Sequence, residues 1–187
     1  TLWLPSSARS QPRLSINPFG LGVASGSPTA EGVVLWTRLL ADDRSGRSLL
    51  PPTAIALRWE LAEDDGFRKI VRQGQTEALP QLGHSVHVEL QGLEPSRWYH
   101  YRFALGGLGN TWVSPTGRTR TLPAPDAASA SLRMVYASCQ RWESGYFSAY
   151  AHMLQESLDA IVFLGDYIYE YGANRNTKHP SVRSHIP

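Results

Sequence analysis

The sequence predicts a chain in two parts, an all-β sandwich followed by the start of an α/β domain. Three observations predict it. Short segments that alternate apolar and polar residues fill the region from about residue 19 to 122. A Pro/Ala/Ser stretch, "PAPDAASAS" (123–131), interrupts the pattern. Beyond it come an apolar strand, a helical pattern and a second apolar strand, in that order.

Residues 1–18 are spotted with Pro and Ser and are expected to form an extended lead-in. The clearest strands are then "VVLWTRL" (33–39), "TAIALRWEL" (53–61), "HSVHVEL" (84–90) and "WYHYRFAL" (98–105). Ile55, Leu57, Trp59 and Leu61 fall on one face, with Arg58 and Glu60 on the other. Tyr99, Tyr101, Phe103 and Leu105 likewise oppose His100 and Arg102. A period of two with one polar face means an antiparallel sheet half exposed to water. "SGSPTAEG" and "LGGLGN" supply turns. Strands of this length and spacing predict an immunoglobulin- or fibronectin-like sandwich over residues 19–122. Within it, "GLEPSRWYHYRF" (92–103) sets Tyr99 at a strand start just after a Leu-x-Pro turn. That is the pattern of a tyrosine corner, whose phenol ties back to the turn.

After the linker at 123–131 the second part runs over 132–187. "LRMVYAS" (132–138) reads as a strand. "SGYFSAYAHMLQES" (144–157) reads as a helix with Ser144 as N-cap and Phe147, Tyr150, Ala151, Leu154 and Leu158 along one face. "AIVFLG" (160–165) is apolar throughout, as expected of a parallel strand covered on both faces. Strand, helix and strand make one βαβ unit, the first of an α/β domain that is incomplete here. Residues 173–187 read as an irregular loop.

Composition narrows the function. The chain has 187 residues, 42% of them hydrophobic and 18% charged, which is enough apolar material for a packed core. With a net charge of +2, no long run of basic residues, and Lys69 and Lys178 the only lysines, nothing calls for nucleic acid or an anionic membrane as partner. Cys139 is the single cysteine, so no intrachain disulfide forms. No apolar run approaches the ~20 residues of a membrane span. The first residue is Thr1, so either a removed leader or an excerpt of a longer chain is expected.

In an open parallel sheet, ligands bind beyond the carboxyl ends of the strands. The first strand runs into Ser138-Cys139-Gln140 and the second into Gly165-Asp166, with Tyr169 three residues on. At the ~4.8 Å spacing of neighbouring strands, Cys139 and Asp166 are expected side by side. A carboxylate leaving a buried strand needs a counter-charge or several hydrogen bonds. A cation answers that need, and a thiolate, carboxylate and phenolate together suit ferric iron or zinc better than magnesium alone. Taken singly, each residue also has an ordinary reading. A strand-end Cys is commonly a small buried hydrophobe. Gly-Asp after an apolar strand commonly caps a loop, and Tyr167, Tyr169 and Tyr171 can simply be packing aromatics. His87 and His100 could face each other across two strands, although exposed-face histidines are ordinarily solvated. His152, on the helix, reads as a surface or boundary residue.

Two stretches, "FGLGVASGSPTAEGVVLWTRL" (19–39) and "YASCQRWESGYFSAYAHMLQESLDAIVFLGDYIYEYG" (136–172), resemble the PhoD-like alkaline phosphatase family. "GLEPSRWYHYRF" and "GRTRTLP" (117–123) fit its N-terminal sandwich. The resemblance implies an immunoglobulin-like domain followed by a calcineurin-like metallophosphoesterase domain. It implies hydrolysis of small phosphate monoesters and diesters with Fe3+ and Ca2+. In that family the matching Cys, Asp and Tyr are metal ligands, which maps here to Cys139, Asp166 and Tyr169, with Asp166 bridging the ions. It also implies export to the periplasm or beyond, often by the twin-arginine route. Ser27 stands where the family usually has Asp. The remaining ligands of the family are expected beyond residue 187, so the chain by itself is expected to be inactive. Two other readings remain open: a phosphodiesterase or phospholipase-D-like relative with the same metals, and a non-catalytic sandwich-type binding protein.

Overall fold

The computed structural model describes residues 14–43, 45–107, 110–128, 131–140, 145–167 and 169. The expected lead-in up to residue 13, Ser144, Tyr171 and the 173–187 loop lie outside them. The chain divides into two compact units, Thr1–Ala127 and Ala128–Pro187.

The described residues of the first unit form β-strands, with one short 3-10 turn at Pro80–Leu82. Strands β1 (Val23–Gly26), β2 (Val33–Arg38) and β5 (Ser85–Leu90) form an antiparallel sheet in the order β1-β2-β5. Strands β3 (Ile55–Ala62), β4 (Ile70–Ala78), β6 (Trp98–Gly107) and β7 (Asn110–Val113) form the other, in the order β4-β3-β6-β7. Strand β8 (Gly117–Arg120) also pairs with β6, so β7 and β8 share one edge, interrupted at Ser114–Thr116. Ser114 manages the break. Its Oγ accepts from Phe103 N at 3.0 Å and donates to Pro115 O at 2.8 Å, replacing ladder bonds that proline cannot make.

Side-chain alternation then builds the core. Leu35 of β2, Val86 and Val88 of β5, Ile55, Leu57 and Leu61 of β3, and Tyr99, Tyr101, Phe103 and Leu105 of β6 are buried in one cluster. Both sheets contribute their inner faces to it, which is the sandwich solution for two half-apolar sheets. The expected tyrosine corner is present: Tyr99 Oη accepts a hydrogen bond from Glu94 N at 3.0 Å. Thr121 closes the same turn by donating to Glu94 O at 2.6 Å and accepting from Arg97 N at 3.0 Å.

The polar outer face of the larger sheet carries Arg102, paired with Glu60 at 2.7 Å and stacked over Phe67. Arg118 and Arg120 lie over the Trp98 ring. The two histidines do not meet. His87 stands opposite Trp36 in the smaller sheet, and His100 opposite Ala62 and Arg118 in the larger one. Sheet membership, invisible in local sequence, separates them.

In the second unit, β9 (Met134–Ala137) and β10 (Ala160–Phe163) pair in parallel, with helix α1 (Ser148–Met153) between them in sequence. The helix corrects the longer one expected over 144–157. It has six residues, and its N-cap is Phe147 in the left-handed region at φ 55°, with no side-chain cap. Only Phe147, Tyr150 and Met153 are half-buried along it; Leu154 is 86% exposed. A helix this short is held by the face it packs, and its apolar face ends at Met153. The strands differ from expectation too. Ile161, Val162, Phe163 and Leu164 keep between 38% and 64% of their surface exposed, so the described residues of this unit do not cover β10 on both faces.

Candidate metal centre

The parallel register sets the geometry. Ala137 stands opposite Phe163, so both chains leave the sheet at the same level and in the same direction. Leu164 N donates to Ala137 O at 2.8 Å and Cys139 N to Gly165 O at 3.3 Å, which carries the pairing past the strand ends. Gly165 takes φ 109°, a value that side chains rarely adopt, and turns the chain so that the next side chain faces the neighbouring strand. Cys139 and Asp166 both sit in the left-handed region at φ 56°. For non-glycine residues this costs on the order of 1 kcal/mol each.

The side chains converge. Cys139 Sγ donates to Asp166 Oδ2 at 3.2 Å. The Tyr169 phenol lies beside both of these side chains, so the three expected residues come together. The phenol of Tyr169 is pushed up to about 12, first by loss of water around it and then by the thiol and carboxylate beside it. Tyr167 lies apart from the donors, its ring 5.2 Å from that of Phe163.

Asp166 and Cys139 are exposed rather than buried, so desolvation of the carboxylate is not what calls for a counter-charge. Clustering is. Three groups that become anionic on losing a proton share one corner, and among the described residues no Lys, Arg or His pairs with Asp166. Proximity of like charge disfavours ionising them together, whereas a cation reverses that balance. The donor set fits a metal that accepts both oxygen and sulfur, such as iron or zinc. Among the described residues no three of His, Cys, Asp and Glu form such a group, so the fit depends on the phenol as third donor.

The comparisons agree with one another. The family model for the PhoD-like phosphatase N-terminal domain matches residues 5–123, and that for the PhoD-like phosphatase matches residues 134–187. Alkaline phosphatase D of Bacillus subtilis (strain 168) is 51% identical over 175 residues, covering 93% of this chain and 29% of its own length. A solved structure of PhoD superposes with a TM-score of 0.84 at 50% identity, over 93% of this chain and 33% of that one. The fibronectin type III domain of human collagen alpha-1(XX) superposes with a TM-score of only 0.36 at 19% identity, over 66% of this chain and 97% of that one. The chain thus spans about a third of the relatives it matches. With family models matching along most of its length, this chain belongs to the PhoD-like phosphatase family.

Proposed function

We propose that the protein of which these residues form part is a metal-dependent phosphoesterase that releases phosphate from small organic phosphate esters. The observation that supports this reading is the meeting of Cys139, Asp166 and Tyr169 at the ends of two parallel strands, inside the segment matched by the PhoD-like phosphatase model. Strand, helix and strand over 134–163 are then the opening βαβ unit of a calcineurin-like metallophosphoesterase domain. Cys139 and Tyr169 would be donors to Fe3+, and Asp166, with two oxygens, would be a donor to both Fe3+ and Ca2+. When bound, the ions supply an activated water and neutralise charge on the phosphoryl group.

The residues dictate proton traffic at the site. Cys139 must release the proton it now donates to Asp166 Oδ2, which frees that oxygen as a donor atom. Tyr169 must release its phenolic proton as well. Loading is therefore proton-releasing, and affinity rises with pH. Three donors do not complete the coordination of two ions, so the activity is a property of the complete protein. The same reading carries export from the cytoplasm.

The test is metal analysis and a visible spectrum of the complete protein, alongside phosphate release from a monoester and a diester. Iron with a thiolate- and phenolate-to-metal band, and turnover of at least one ester, is expected. A colourless, iron-free and fully active protein overturns the ligand assignment. The ratio of monoester to diester turnover assigns the preferred substrate.

A further inference from the structure

We infer that Tyr150 is a positioning residue that braces the Cys139 turn against the Asp166 turn. The inference rests on the reading of Cys139 and Asp166 as metal donors. Tyr150, on α1, touches both walls of the site without being part of it. Its hydroxyl donates to Gln140 Oε1, in the residue that follows Cys139. Its ring meets Phe163 edge-on at 5.9 Å, three residues before Asp166, and that contact continues from Phe163 to Tyr167. A single side chain is thus pinned at one end to the first strand's exit and at the other to the second strand.

The brace has something to hold. Cys139 keeps a left-handed backbone that no glycine supplies, and in that conformation its Sγ reaches Asp166. Strained turns persist where their surroundings over-determine them. Past the strand ends the described backbone bonds are Leu164 N to Ala137 O at 2.8 Å and, at the Cys139 turn itself, the long bond from Cys139 N to Gly165 O at 3.3 Å. The Tyr150–Gln140 bond is a second restraint on the Cys139 turn, applied from the helix. Both Tyr150 and Gln140 are half-buried, which shields the bond from competing water.

The experiment measures two properties in the complete protein. One is alkylation of the metal-free form by iodoacetamide, followed at Cys139 by peptide mass spectrometry. The other is iron affinity. Tyr150→Phe keeps the rings and removes the hydroxyl; Gln140→Leu removes the acceptor. Each is expected to speed Cys139 alkylation and weaken iron binding by about fivefold, the factor given by one ordinary net hydrogen bond. The double variant is expected to match either single one, because both remove the same bond. Tyr167→Phe, in the same aromatic row but away from Gln140, is expected to leave both readouts unchanged. Additive effects, or alkylation within experimental error of the parent in both single variants, overturn the inference. If Cys139 is not a ligand, the parent binds iron weakly or not at all, yet the alkylation measurement still tests the brace.

Discussion

Cys139 and Asp166 hold the same left-handed backbone angle, φ 56°, at the ends of neighbouring parallel strands, and their side chains meet at 3.2 Å. A fold under selection for stability alone has no reason to keep two such residues together. Replacing either charge-bearing group should therefore harm metal binding far more than folding. Asp166→Asn is expected to leave the melting temperature of the metal-free protein unchanged or slightly higher. It should lower iron affinity by at least about a hundredfold, beyond the losses that follow when only a ligand's supporting partner is removed. Thermal melts and metal analysis on the same preparations check both halves; an Asn variant that keeps its iron would refute the role.

Tyr99 makes the opposite prediction. Its phenol is buried and accepts from Glu94 N at 3.0 Å, a bond that ties β6 to the preceding turn. Tyr99→Phe strands that N–H without a partner and is expected to cost about 1–3 kcal/mol of stability. Iron content should not change. Chemical denaturation of the two proteins measures the first, and a loss below the error of that measurement would contradict it.

Much of the sandwich was legible because its core strands alternate cleanly. Trp59 and the buried Ile55, Leu57 and Leu61 announce β3, and Tyr99 through Leu105 announce β6. β4 was not singled out. Its sequence, "IVRQGQTEA", lies at the sheet edge and buries only Ala78 fully, so its apolar signal is faint. β1, β7 and β8 have four residues each, too few for a periodic signal. The meeting of Cys139 with Asp166 followed from topology alone, since parallel neighbours deliver their next residues side by side. The left-handed turns did not, because nothing in the residue types Cys and Asp demands positive φ. Nor did the Tyr150–Gln140 bond, since spacing placed Tyr150 only on the helix's apolar stripe.

Gly117 is a position where absence of a side chain is used for packing. A Cβ built there would lie 2.3 Å from Cζ of the buried Tyr101 ring, well inside contact distance. The ring cannot retreat, because it is enclosed in the core cluster. Gly117→Ala is expected to destabilise by about 1–3 kcal/mol, the range for overpacking a filled core. A denaturation midpoint equal to the parent's would show that β8 can move away from β6 at no cost.

Tyr169 offers the sharpest pH signature. In the metal-free protein its phenol is pushed up to about 12 from the ordinary value of 10 by loss of water and by Cys139 and Asp166. The folded state then holds the proton more tightly than the unfolded one. Below pH 10 both states are protonated and the group contributes no pH dependence; between 10 and 12 the unfolded chain loses its proton first, and stability falls with rising pH. Tyr169→Phe should remove this component of the alkaline decline. With iron bound, the same phenol is expected to be ionised at neutral pH, because a trivalent cation outweighs its anionic neighbours. Ultraviolet titration of phenolate in metal-free and loaded protein separates the states. An iron-loaded protein in which Tyr169 still titrates near 12 would show that its oxygen does not touch the metal.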